Sequence, residues 1–144
     1  MAVFRDEAEM REIFGALYDQ ARRDSRIAPQ IRDAHIVIQF RYDEPHGVVT
    51  INAAAPPSDE GAYFDVFWGD DTGLQPDVEM RMKADVAHQF WHGKINLMAA
   101  LTRRQIVARG PIPKILKLLP AVEPMYAMYP RLLHELGRTD LVLT

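Results

Sequence analysis

The chain has 144 residues, of which 48% are apolar and 26% charged, the balance of a soluble globular protein. That length suits one domain over 1–144 that buries roughly two-thirds of its unfolded surface. There is no cysteine, which excludes disulfides, thiolate metal sites and a cysteine nucleophile. The opening MAVFRDEAEMRE has no apolar core of a secretory signal, and no run reaches the ~18 apolar residues of a membrane span. The expectation is a soluble, cytoplasmic protein.

Residues 6–24 predict an amphipathic helix. Asp6 suits its cap, Glu7 and Glu9 its positive end, and Arg22 and Arg23 its negative end. Met10, Ile13, Phe14, Leu17, Tyr18 and Ala21 fall on one face, and charged residues occupy the other. After a connector holding Pro29 the period changes to two. HIVIQFRY (35–42) places Ile36, Ile38, Phe40 and Tyr42 on one side, the turn DEPHG follows, and VVTINAA (48–54) returns. A polar loop from Pro56 to Gly61 leads to YFDVFW (63–68), with Phe64, Val66 and Trp68 inward. The turn GDDTG precedes PDVEMRMKA (76–84), where Val78, Met80, Met82 and Ala84 alternate with charge. These four strands predict an antiparallel sheet with one wet face.

From Asp85, read as an N-cap, the period is helical again. Residues 86–92 form two turns that stop at Gly93, and Asn96 caps a second short helix through Thr102. QIVAR (105–109) reads as a fifth strand broken by Gly110. Pro111 and Pro113 suit the first turn of an apolar helix over Lys114–Leu119. Pro120, Pro124 and Pro130 are expected to cut the remainder into short pieces that act as a lid.

Charge is segregated. Residues 43–79 hold nine acids and no Lys or Arg, whereas ten basic residues face four acids from Arg81 onward. The basic half is either a solvated face or one that meets an anionic head group, a membrane surface or an acidic partner. Its cations are scattered and accompany no nucleic-acid motif, so nucleic acid is not expected as a partner.

The stretch 77–119 resembles the lipid-binding domain of the sterol carrier protein type 2 (SCP2) family. The resemblance rests on the strand PDVEMRMKAD, the turn Gly93-Lys94-Ile95-Asn96, the small helix Leu97–Leu101, Ile106 and Ala108 on a strand, Gly110, and the helix Ile112–Leu119. It implies an α/β (α+β) fold in which a five-stranded, mainly antiparallel sheet carries helices on one face and encloses a hydrophobic tunnel. The chain departs from the family where Arg103-Arg104-Gln105 replaces a Gly-Lys turn before the last strand. The end LVLT also lacks a peroxisomal address of the Ser-Lys-Leu type.

The residues expected to line a ligand site are Met80, Met82, Phe90, Trp91, Leu97, Met98, Leu101, Ile106, Ile112, Ile115, Leu116, Leu119, Met125 and Met128. Methionine adapts to variable apolar shapes, and several fall on inward faces here. Arg103 and Arg104 are candidates for a ligand head group, because Arg pairs well with phosphate or carboxylate. Catalytic signatures are lacking. His88 and His92 have metal-ligand spacing, but no Glu follows His88 as a zinc protease requires, and His35, His46 and His134 are isolated. Ser25 and Ser58 lie outside any G-x-S-x-G turn, and Asp70-Asp71 sits in a turn. The resemblance to the SCP2 family implies a non-catalytic carrier of a sterol, fatty acyl chain or similar lipid, and no cofactor or metal is expected. Transient membrane contact and a homodimer are its possible associations. The alternative is an interaction or dimerisation module of a lipid or quinone pathway using the same groove, and an enzyme built on His88 and His92 is a third class.

Overall fold

The computed structural model describes residues 2–143. Met1 and Thr144, the outermost residues of the domain expected over 1–144, lie outside the described residues. Helix α1 spans Glu7–Arg23, and the Asp6 carboxylate accepts the Glu9 N–H at 2.9 Å, so the expected cap forms. Its apolar stripe is buried from Met10 to Ala21. Arg22, expected to serve the helix dipole, is buried instead. Its guanidinium donates to the Phe64 carbonyl at 3.0 Å and pairs with Asp19, Asp59 and Asp65. Asp65 also accepts the Ser58 N–H and hydroxyl, so this cluster pins the polar loop to α1.

The connector around Pro29 is a helix, α2 (Ala28–Asp33). Proline in the first turn loses no helical bond, and buried Ala28 and Ile31 anchor the segment. The strands are β1 (Val37–Asp43), β2 (Gly47–Asn52), β3 (Asp65–Trp68), β4 (Val78–Lys83) and β5 (Ile106–Arg109), in the order β3-β2-β1-β4-β5. Three pairs are antiparallel, but β1 and β4 run parallel, which corrects the all-antiparallel run expected for the first four strands. β2 already occupies one side of β1, so the chain leaves β3 and crosses to the free side. Asp77 fixes that arrival: its carboxylate accepts the Val37 N–H at 2.9 Å, and its own N–H donates to the Val37 carbonyl at 2.8 Å. The outer face carries charge, with Arg41 paired to Asp70 at 3.1 Å and to Glu79 at 3.2 Å.

Helix α3 (Ala84–Trp91) follows β4 without a loop. Asp85 is not its cap; the carboxylate accepts the Val3 N–H at 2.8 Å, because the helix already begins at Ala84. Gly93 ends this segment at φ 73, and the Asn96 side chain caps α4 (Leu97–Thr102) by accepting the Ala99 N–H at 2.9 Å.

The largest departure from expectation follows. Helix α5 runs Ile112–Val122 through Pro120, and α6 runs Met125–Glu135 through Pro130. Each proline removes one helical N–H, yet tertiary burial of Ile115, Leu118 and Ala121, and of Met128, Tyr129, Leu132 and Leu133, offsets the loss. Only Pro124 marks a break. A 3-10 turn, Thr139–Leu141, follows α6.

Candidate functional site

The inner face of the sheet and the helices enclose an apolar cavity of about 80 Å³. Its floor is Ile38, Phe40 and Tyr42 of β1, Ile51 of β2, Met80 and Met82 of β4, and Ile106 of β5, with Phe64 at one side. Tyr18 and Ala21 of α1 and Ile31 of α2 form part of the roof. Ala87, Phe90 and Trp91 of α3, Leu97 of α4, a row from α5 and Met125 of α6 complete it. The period of two in the strands and of 3.6 in the helices sends these side chains to one interior.

Within α5 the cavity takes Ile115, Leu118, Leu119 and Val122, spaced i, i+3, i+4 and i+7. An aromatic wall stands opposite. Phe40 lies between Tyr18 and Tyr42 with nearly parallel rings, at 6.2 and 6.1 Å, and Trp91 meets Tyr18 edge-on at 5.9 Å. The Tyr18 and Tyr42 hydroxyls bond to each other. Burial pushes both phenols above their ordinary range, so they stay neutral. No charged side chain, histidine or serine lines the cavity among the described residues. This lining can exclude water and bury hydrocarbon, and the hydroxyls of its two tyrosines are bonded to each other.

Of the residues singled out from sequence, Met80, Met82, Phe90, Trp91, Leu97, Ile106, Ile115, Leu119 and Met125 border this space. Met98 does not; it is 53% exposed on the outer side of α4. Leu101 and Leu116 are half-buried against the core and Ile112 is half-buried, but all three stand off the cavity. For Leu116 the reason is helical phase, since it follows Ile115 by about 100° round the axis. Met128 is buried without bordering the cavity. Arg103 and Arg104 are exposed in the turn between α4 and β5, away from the lining. Arg104 holds φ 58, the left-handed conformation that a glycine would accept without cost.

Several lining residues were not singled out: Tyr18, Ala21, Ile31, Ile38, Phe40, Tyr42, Ile51, Phe64, Ala87, Leu118 and Val122. Most sit on faces whose inward direction the periodicity already shows. Val122 required reading α5 through Pro120.

The histidine pair is occupied structurally. His88 is 1% exposed; its Nε2–H donates to the Leu141 carbonyl at 2.8 Å, leaving Nδ1 to accept the Tyr129 O–H at 2.8 Å. His92 Nδ1–H donates to the His88 carbonyl, and its Nε2 accepts the Leu143 N–H at 3.2 Å. Burial, then the neighbouring His92, brings His88 down to about 4, and burial lowers His92 as well. Both rings are therefore neutral near pH 7, and each nitrogen already has a partner. His134 bonds Thr139, while His35 and His46 are exposed. Among the described residues no group of three or more His, Asp or Glu side chains is placed to hold a metal ion, and no helix is long and apolar enough to cross a membrane.

No protein-family model matches the chain, and no curated protein matches it either. Solved structures do. The sterol carrier protein domain 2 of Helicoverpa armigera superposes with a TM-score of 0.60 at 16% identity, over 81% of this chain and 89% of that one. A structure described as UbiJ-SCP2, a ubiquinone synthesis protein, gives 0.56 at 13% identity over 81% and 94%. Sterol carrier protein 2 from Yarrowia lipolytica, in its apo form, gives 0.51 at 17% identity over 80% and 77%. The five-stranded mixed sheet with its helical cover is thus the sterol carrier protein 2 fold.

Proposed function

We propose that this chain, acting as one domain, binds and carries a hydrophobic ligand, a sterol, a fatty acyl chain or a similar lipid, without catalysing a reaction. The observation that carries the reading is the cavity: an apolar space between sheet and helices whose lining holds no charged side chain, histidine or serine among the described residues. Binding there draws on apolar burial, worth about 25 cal/mol per Å² before ordering costs. The likeness to sterol carrier protein 2 structures supports the same reading.

Size adds a condition. At about 80 Å³ the cavity is roughly half the ~150 Å³ of an engineered apolar cavity that admits benzene. A long acyl chain or a sterol therefore enters only as α5 moves away from the sheet. That helix keeps Leu116, Leu119 and Val122 half-buried and carries Pro120, which removes one helical N–H, so it is the cover we expect to part from the sheet. In the loaded state the cavity extends into the hydrophobic tunnel that the fold implies.

Uptake of a fluorescent fatty acid and a fluorescent sterol, with native mass spectrometry of the protein as purified, tests this. Stoichiometric uptake or a co-purified lipid is expected. Failure of every probe, with an empty protein in the mass spectrum, overturns it. If light scattering then shows a dimer, the same apolar surface serves association instead.

A further inference from the structure

Between Asp85 and Glu123 the chain contains no acid, and its cations Lys94, Arg103, Arg104, Arg109, Lys114 and Lys117 are all exposed. None of the six forms an ion pair among the described residues. Of the other lysines and arginines, only Arg11 and Arg131 lack one among the described residues, so unpaired positive charge is concentrated in this segment. Arg109 joins Arg41 and Arg81 on the outer face of the sheet. The other five flank α4 and β5 along the chain: Lys94 before α4, Arg103 and Arg104 between α4 and β5, and Lys114 and Lys117 on the first turns of α5, the helix after β5.

Two further observations indicate what these cations meet. Met98, on α4 between Lys94 and Arg103, is 53% exposed and offers a flexible apolar side chain among them. Arg104 keeps a long cationic side chain at φ 58, where glycine would relieve backbone strain, and that side chain makes no hydrogen bond or ion pair within the described fold. An acidic protein would match the charge and leave Met98 in water. A bilayer bearing anionic head groups takes both, the cations at the phosphates and the methionine at the hydrocarbon boundary.

We propose that the segment Lys94–Lys117 is a docking surface for an anionic lipid bilayer. The inference rests on the carrier reading, since Leu97, Ile106 and Ile115 of this segment also wall the cavity, and docking here would present α5 to the membrane that supplies the ligand.

The test is co-sedimentation with vesicles of pure phosphatidylcholine and of phosphatidylcholine containing 30% phosphatidylglycerol. Two triple variants of equal net charge are compared with the wild type: Arg104→Gly/Lys114→Gln/Lys117→Gln within the segment, and Arg5→Gln/Arg26→Gln/Arg32→Gln outside it. Binding should be confined to the anionic vesicles and fall with salt. The first variant should lose it by roughly 100-fold, while the second stays within a few-fold of the wild type. Equal loss in both variants, equal binding to both vesicles, or retention on immobilised polyglutamate without vesicle binding would each overturn the docking surface. Fatty-acid uptake from solution by the wild type, without vesicles, keeps the two readings apart. Uptake without vesicle binding removes only the docking surface; vesicle binding without uptake removes only the carrier reading.

Discussion

The Nδ1 atom of His88 lies 2.8 Å from the Tyr129 hydroxyl, which joins α3 to α6 inside the core. Nε2 of the same ring holds the Leu141 carbonyl, so the tautomer is fixed and the carboxy-terminal segment is tied to both helices. A proton on Nδ1 would convert an acceptor into a second donor facing the phenol.

Acid should therefore weaken the fold at a defined place on the pH scale. His88 titrates at about 4 when folded and near its ordinary 6.5 when unfolded. The unfolded chain takes up the proton first, so stability is complete above pH 6.5 and declines as pH falls towards 4. The loss reaches roughly 3 kcal/mol. Urea unfolding between pH 7 and 4.5 would show it, and His88→Gln should flatten the slope by about one proton. An unchanged slope in that variant would place the pH dependence elsewhere.

Gly110 supplies the second expectation. It ends β5 at φ 103, and a Cβ there would overlap the Asp77 carbonyl oxygen, which is backbone and cannot turn aside. Asp77 is also the residue that clamps β4 beside β1. Gly110→Ala should lower stability by about 3 kcal/mol or more, combining left-handed strain with overlap. Gly137→Ala, at φ 73 with open space around it, should cost only about 1 kcal/mol. Equal thermal shifts in the two variants would contradict the close approach.

Much of this was legible in the chain because it depends on local physics. Asp6 and Asn96 cap their helices as their positions suggest, and the alternation in Val78, Met80 and Met82 gave the inward face of β4. What escaped depends on tertiary context. The parallel β1–β4 pairing follows from which side of β1 is vacant, not from any residue in β4. Pro120 and Pro130 look like breaks, yet burial of their helices outweighs a lost N–H each, and so Val122 was hidden as a cavity residue. Leu116 and Leu118 are equally apolar, and only the phase of α5 against the sheet separates them. Arg22 gave no sign that three carboxylates and a carbonyl converge on it.

Arg104→Gly should leave the fold as stable as before or slightly more so. Relief of the left-handed backbone contributes about 1 kcal/mol, and the greater freedom of glycine in the unfolded chain returns about half of that or more. Calorimetry checks the sign. A fall in stability above 1 kcal/mol would mean that the exposed guanidinium makes a contact worth more than the strain.

Leu118 and Leu116 separate cavity from surround. Leu118 borders the space and is nearly buried, whereas Leu116 is half-buried beyond it. Leu118→Ala should cost about 2–4 kcal/mol and enlarge the cavity towards the size that admits benzene. Saturating benzene should then raise the melting temperature of Leu118→Ala more than that of the wild type, because a ligand bound only to the folded state stabilises it by mass action. Leu116→Ala should cost less and gain no benzene response beyond the wild type's. Charge sharpens the contrast: Leu118→Glu would force a carboxylate into a lining without a cation, so it should lose fatty-acid uptake or fail to fold, while Leu116→Glu can turn its carboxylate towards water. Identical behaviour of the two positions would mean that α5 does not present Ile115, Leu118, Leu119 and Val122 to the ligand.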